Sequence, residues 1–126
     1  RAIDDLKFES QSFLSVWRSL VGSLSGSTVA GTTGDAGPYA YQLNNPIAVS
    51  MDSNGFLYIL DSANARIQRW WPRASFGTTV VSSSFSTPYG MMIDARGNLV
   101  VTDTFNLRVL SFAMTCRTSF IGERCI

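Results

Sequence analysis

A long passage of this chain recurs 42 residues downstream. Pro46 to Trp70 reads PIAVSMDSNGFLYILDSANARIQRW, and Pro88 to Phe112 reads PYGMMIDARGNLVVTDTFNLRVLSF. The two align without a gap. Pro46/Pro88, Asp52/Asp94, Gly55/Gly97, Leu57/Leu99, Asp61/Asp103, Asn64/Asn106 and Arg66/Arg108 are identical, and most other pairs keep their apolar or polar character. A unit that returns at fixed spacing cannot bury its apolar face alone, so the echo forces an architecture in which neighbouring units stack.

Inside each copy the apolar residues alternate with period two, the mark of half-buried strands. Ile47–Met51 reads as a first strand, Leu57–Leu60 as a second, Arg66–Trp70 as a third and Thr78–Val81 as a fourth. Tyr89–Ile93, Leu99–Thr102 and Leu107–Phe112 repeat the first three. Asn54-Gly55 and Arg96-Gly97 sit at the hairpin positions, where Gly accepts the positive φ that tight connections demand. Four short strands every ~40–45 residues describe a β-propeller blade, so the fold class is all-β, with two to three blades of four antiparallel strands.

Ser25–Gly31 resembles Ser75–Val81 and is expected to be another fourth strand, preceding one whole blade and then three strands. Propellers have roughly 4–8 blades, so this array is expected to be part of a larger or oligomeric ring. Strand edges at its two ends are expected to seek partner strands. Residues 1–24 read either as a degenerate blade, with Trp17 where Trp70 stands, or as an amphipathic helix; 25–112 hold the blades, and 113–126 form a separate tail.

Composition narrows the chemistry. The 126 residues carry a net charge of +1 and no histidine. That charge gives no field for nucleic acid, and the missing imidazole removes the commonest general base and zinc ligand. Phe13–Leu24 is the most apolar stretch but is interrupted by Arg18 and several Ser, so no membrane span is expected.

The pattern from Leu43 to Gln68, LNNPIAVSMDSNGFLYILDSANARIQ, resembles an NHL repeat. Pro88 to Val109 is similar, departing at Val100 where Tyr is usual. The resemblance implies a propeller, commonly six-bladed, that serves as a binding platform. One enzymatic branch of that family uses a zinc site built from histidines, which this chain does not have. The recurring residues read as structural: Gly55 and Gly97 turn the chain, and Asp61 and Asp103 accept backbone N–H bonds at strand ends. Asn64 and Asn106 tolerate the left-handed conformation and cap the turn, and Arg66 and Arg108 can pair with an Asp of the same or neighbouring blade. Asp52 and Asp94 belong to the same motif. Acids that recur once per blade do not make a unique catalytic centre, so no enzyme, cofactor or resident metal is expected.

Only two cysteines occur, Cys116 and Cys125, and Cys-Arg-Thr-Ser-Phe-Ile-Gly-Glu-Arg-Cys resembles the last cysteine pair of an EGF-like module. That resemblance implies a disulfide and an oxidising, secreted setting; free thiols are the alternative. Trp71, Tyr39 and Tyr41 are the candidates for a contact surface, since Trp70 already fills the slot of Phe112. The leading expectation is a secreted, non-enzymatic module for protein–protein or matrix contacts, assembling with other blades or copies of itself. The alternatives are a calcium-dependent propeller enzyme, with ligands from Asp, Glu, Asn and backbone carbonyls, and a carbohydrate-binding propeller.

Overall fold

The structure, a computed structural model, describes residues 6–11, 15–20, 26–114, 116–119 and 122–125, with side chains described for 26–114. Among the described residues it is all-β apart from two single-turn 3-10 segments, Ser62–Asn64 and Thr104–Asn106. The strands are β1 (Leu6–Gln11), β2 (Ser15–Leu20), β3 (Ser27–Gly31), β4 (Pro46–Met51), β5 (Leu57–Asp61) and β6 (Arg66–Trp70). They continue with β7 (Thr78–Ser82), β8 (Pro88–Ile93), β9 (Leu99–Asp103), β10 (Arg108–Phe112), β11 (Cys116–Ser119) and β12 (Gly122–Cys125).

These strands form antiparallel sheets in simple up-and-down order: β1-β2-β3, β4-β5-β6-β7, β8-β9-β10 and the hairpin β11-β12. The second sheet is a complete four-stranded blade, and the third repeats its first three strands with the same pairings. Leu57 lies opposite Trp70 as Leu99 lies opposite Phe112, and both first strands carry a bulge just after their proline.

The hairpin turns form where the repeat places them. Gly55 and Gly97 adopt φ +88° and +84°. In front of each, an aspartate makes an Asx turn: Asp52 Oδ1 accepts from the N–H of Asn54 (2.9 Å) and Phe56 (3.0 Å), and Asp94 Oδ1 from Arg96 and Asn98 (both 2.9 Å).

The first sheet has strands where the sequence allowed a degenerate blade or a helix, and its register corrects the place given to Trp17. Leu6–Gln11 and Ser15–Leu20 are paired strands and not a helix. A bulge between Val16 and Trp17 sets Trp17 opposite Thr28, just as a bulge between Ile67 and Gln68 sets Gln68 opposite Thr79. Trp17 therefore holds the place of Gln68 and not of Trp70. The same register equates Ala30 with Val81, one residue away from the sequence match of Ser25–Gly31 with Ser75–Val81. A one-residue slip would invert every side chain, and the pairings fix the register: Ala30 lies opposite Val16 as Val81 lies opposite Ile67.

The core is split in two by the alternation within β5. Leu57 and Ile59 point toward the first sheet, where they bury with Ala30, Leu43 and Trp70. Tyr58 and Leu60 point the other way and bury with Ile67, Leu99 and Val101. A central blade strand buried on both faces reads as the continuous run Leu-Tyr-Ile-Leu for this reason. Strands β4 and β8 pack against each other between the second and third sheets.

Candidate functional site

The recurring Asp, Asn and Arg converge at one corner of each blade. Asp61 ends β5 with no exposure, and its carboxylate is filled from three sides. It accepts from Asn44 N–H (2.6 Å), Asn64 Nδ2 (2.8 Å) and Arg66 Nε (2.8 Å). Asp103 repeats this with Ser86 N–H (2.6 Å), Asn106 Nδ2 (2.8 Å) and Arg108 Nε (2.9 Å). A buried carboxylate is tolerable only when so satisfied. Both arginines pair with the aspartate of their own blade.

The left-handed residue of each corner is not the asparagine. Ala65 and Leu107 take it, at φ 50° and 55°, each closing a 3-10 turn with its N–H on the carbonyl of Ser62 or Thr104. Asn64 and Asn106 stay inside the turn because their amides are used sideways. Each reaches its aspartate and a carbonyl of the preceding connection, Gly37 (2.9 Å) or Ser84 (3.2 Å).

The two corners diverge beyond the Nε bond. Arg66 donates from Nη1 to Pro38 O (2.7 Å) and from Nη2 to Tyr39 O (3.1 Å) and Gln42 O (2.8 Å). Its side chain is 11% exposed. Arg108, at 43%, has no such carbonyls among the described residues.

Charge follows these contacts. At Asp103 burial pushes the carboxyl pKa up, but hydrogen bonds from Asn106, Ser86 and Arg108 outweigh it, and the net is a pKa below the ordinary aspartate value. Asp94 is also held low, first by the Asn98 N–H and further by the Asn98 amide and the Arg96 N–H. Burial raises Tyr58 above the usual phenol value, reinforced by Asp52, whose Oδ2 accepts the hydroxyl at 3.1 Å.

Trp71 is exposed and packs edge-on against Phe56, ring centres 4.1 Å apart, while Tyr39 and Tyr41 stack on each other at 5.9 Å. The three expected contact aromatics thus belong to two separate ring pairs. Cys116 and Cys125 lie directly opposite each other in the β11-β12 register.

The apolar surface that the sequence did not reveal is the outer face of the third sheet. In the second sheet Ile47, Ser50, Tyr58, Leu60 and Ile67 meet the third. Their equivalents are Tyr89, Met92, Val100, Thr102 and Val109. Tyr89 (61%), Met92 (56%) and Val109 (65%) are exposed, and Val100 is half-buried. Only the repeat alignment combined with burial of its first copy could have found this face.

Among the described residues no three His, Cys, Asp or Glu side chains converge, and no helix is long and apolar enough to cross a membrane. A cleft of about 210 Å³ lies between the second and third sheets, lined by residues including Ile47, Ser62, Pro88 and Tyr89. Repeated antiparallel sheets, with an Asp–Asn–Arg corner in the second and another in the third, define the blades of a β-propeller. The family model of the NHL repeat matches residues 43–70, which are an NHL repeat. No curated protein matches the chain.

Proposed function

We propose that this chain is a non-enzymatic, secreted assembly module whose outer blade face binds another sheet of the same kind in a second copy of the chain. NHL repeats suggest propellers built for protein–protein interaction, and the reading rests most on the exposed face of β8-β10. Position for position it corresponds to a face that buries Tyr58, Leu60 and Ile67 almost completely one repeat earlier. Exposed apolar faces of this kind mark interaction surfaces.

The absence of catalysis is supported by the state of the acids. Asp52, Asp61, Asp94 and Asp103 all spend their oxygens on donors of the fold, which leaves them poor general bases or metal ligands. Secretion is supported by the facing Cys116 and Cys125, whose backbone pairing suits a cross-strand disulfide worth about 2–3 kcal/mol.

Val109→Glu tests the reading, since it sets a charge on the outer face, on strand β10, without touching either core cluster. Light scattering should show the variant folded and smaller than the parent. An unchanged mass would contradict the reading.

A further inference from the structure

The two connections that enter the second and third blades can be superimposed through their hydrogen bonds. Asn44 N–H and Ser86 N–H both donate to the corner aspartate, and Gly37 O and Ser84 O both accept from the corner asparagine. Leu43 and Phe85 both enter a core cluster. Between Gly37 and Leu43 the chain makes an excursion, Pro38-Tyr39-Ala40-Tyr41-Gln42; between Ser84 and Phe85 there is none.

That excursion supplies every carbonyl held by the Nη atoms of Arg66. It is pinched at its base by Gly37 N–H on Leu43 O (3.3 Å), turned by Gln42 N–H on Tyr39 O (3.0 Å), and tied to the blade by Gly77 N–H on Ala40 O (2.8 Å). A planar guanidinium fixed at Nε by a buried carboxylate is a rigid fork of donors. In the second blade that fork is closed by the chain's own turn. In the third it is built identically and stands 43% exposed.

The geometry points to Arg108 as the anchor of a peptide-binding site, taking a tight turn of a partner protein that presents two or three backbone carbonyls in the arrangement of Pro38, Tyr39 and Gln42. The inference rests on the binding-platform reading for its class of partner, and adds the site and the chemistry recognised. The recognised feature is the main-chain turn, so the partner sequence is constrained only to residues that allow it.

The probe is a cyclised peptide of sequence Gly-Pro-Tyr-Ala-Tyr-Gln-Leu carrying a fluorophore, titrated against the full chain by anisotropy. Arg108→Gln should weaken binding at least tenfold, given roughly tenfold for each charge-assisted hydrogen bond lost. A second variant inserts Pro-Tyr-Ala-Tyr-Gln between Ser84 and Phe85. It leaves Arg108 and Asp103 in place, closes the fork internally and should abolish binding, which keeps the test open if the glutamine variant fails to fold. No binding at millimolar peptide, or full binding by the insertion variant, overturns the site. Such a failure alongside a native mass above 13.8 kDa would leave the platform reading standing.

Discussion

Arg66 and Arg108 are the same residue of the same motif, yet truncating them should cost very different amounts. Arg66→Ala removes four hydrogen bonds, one to a carboxylate with no exposure and three to carbonyls of the 38–42 excursion. Asp61 keeps Asn44 and Asn64 but loses its counter-charge. Breaking a buried pair in this way costs about 3–5 kcal/mol. Arg108→Ala likewise takes the counter-charge from a buried aspartate, but it removes one hydrogen bond where Arg66→Ala removes four. The Arg108 side chain is 43% exposed, so water reaches the vacated side and holds the loss to about 1 kcal/mol. Urea titration of the full chain followed by tryptophan fluorescence reads both. With a denaturant slope of about 1.5 kcal/mol/M, the midpoint should fall by about 2–3 M for Arg66→Ala and by less than about 1 M for Arg108→Ala. Equal losses would refute the reasoning, because they would mean that the excursion contributes nothing to the second corner.

Other outcomes follow from the same geometry. Trp70→Ala empties the centre of the cluster between the first two sheets and should cost about 3–5 kcal/mol by the same titration. Gly97→Ala forces a side chain to φ +84° in open space, a loss of about 1–2 kcal/mol that is purely conformational and should leave the peptide site of Arg108 unaffected. Asp94 and Asp103 have folded pKa values below their unfolded ones. Their stabilisation is complete above the unfolded aspartate value near pH ~4 and drains as pH falls through the lower folded values, so Asp94→Asn should flatten the acid limb of a stability–pH curve. Tyr58 is shifted the other way. Its stabilisation holds below the unfolded phenol value near ~10 and is lost as pH rises through the folded one, and ultraviolet titration of Tyr58→Phe against the parent should lack the latest-titrating phenol.

The sequence carried the blade pattern well, because identical residues at identical spacing meet the same local demands: Gly55 and Gly97 turn hairpins, and Asp61 and Asp103 end second strands. It misplaced features governed by pairing partners. Trp17 looks like Trp70 by type, but a bulge in register puts it where Gln68 stands. Asn64 looks like a left-handed residue, but Asp61 and Gly37 engage its amide and pass that conformation to Ala65. The difference between Arg66 and Arg108 was invisible for the same reason. It arises from an excursion lying more than twenty residues upstream of Arg66, which no local spacing connects to the motif.

The account turns on the outer face of β8-β10 being an interface. Light scattering on the full chain as it elutes from a sizing column, at micromolar concentration, tests this most directly. A mass at a multiple of 13.8 kDa is the expected result. A folded, stable monomer of 13.8 kDa that exposes Tyr89, Met92 and Val109 to water would contradict it.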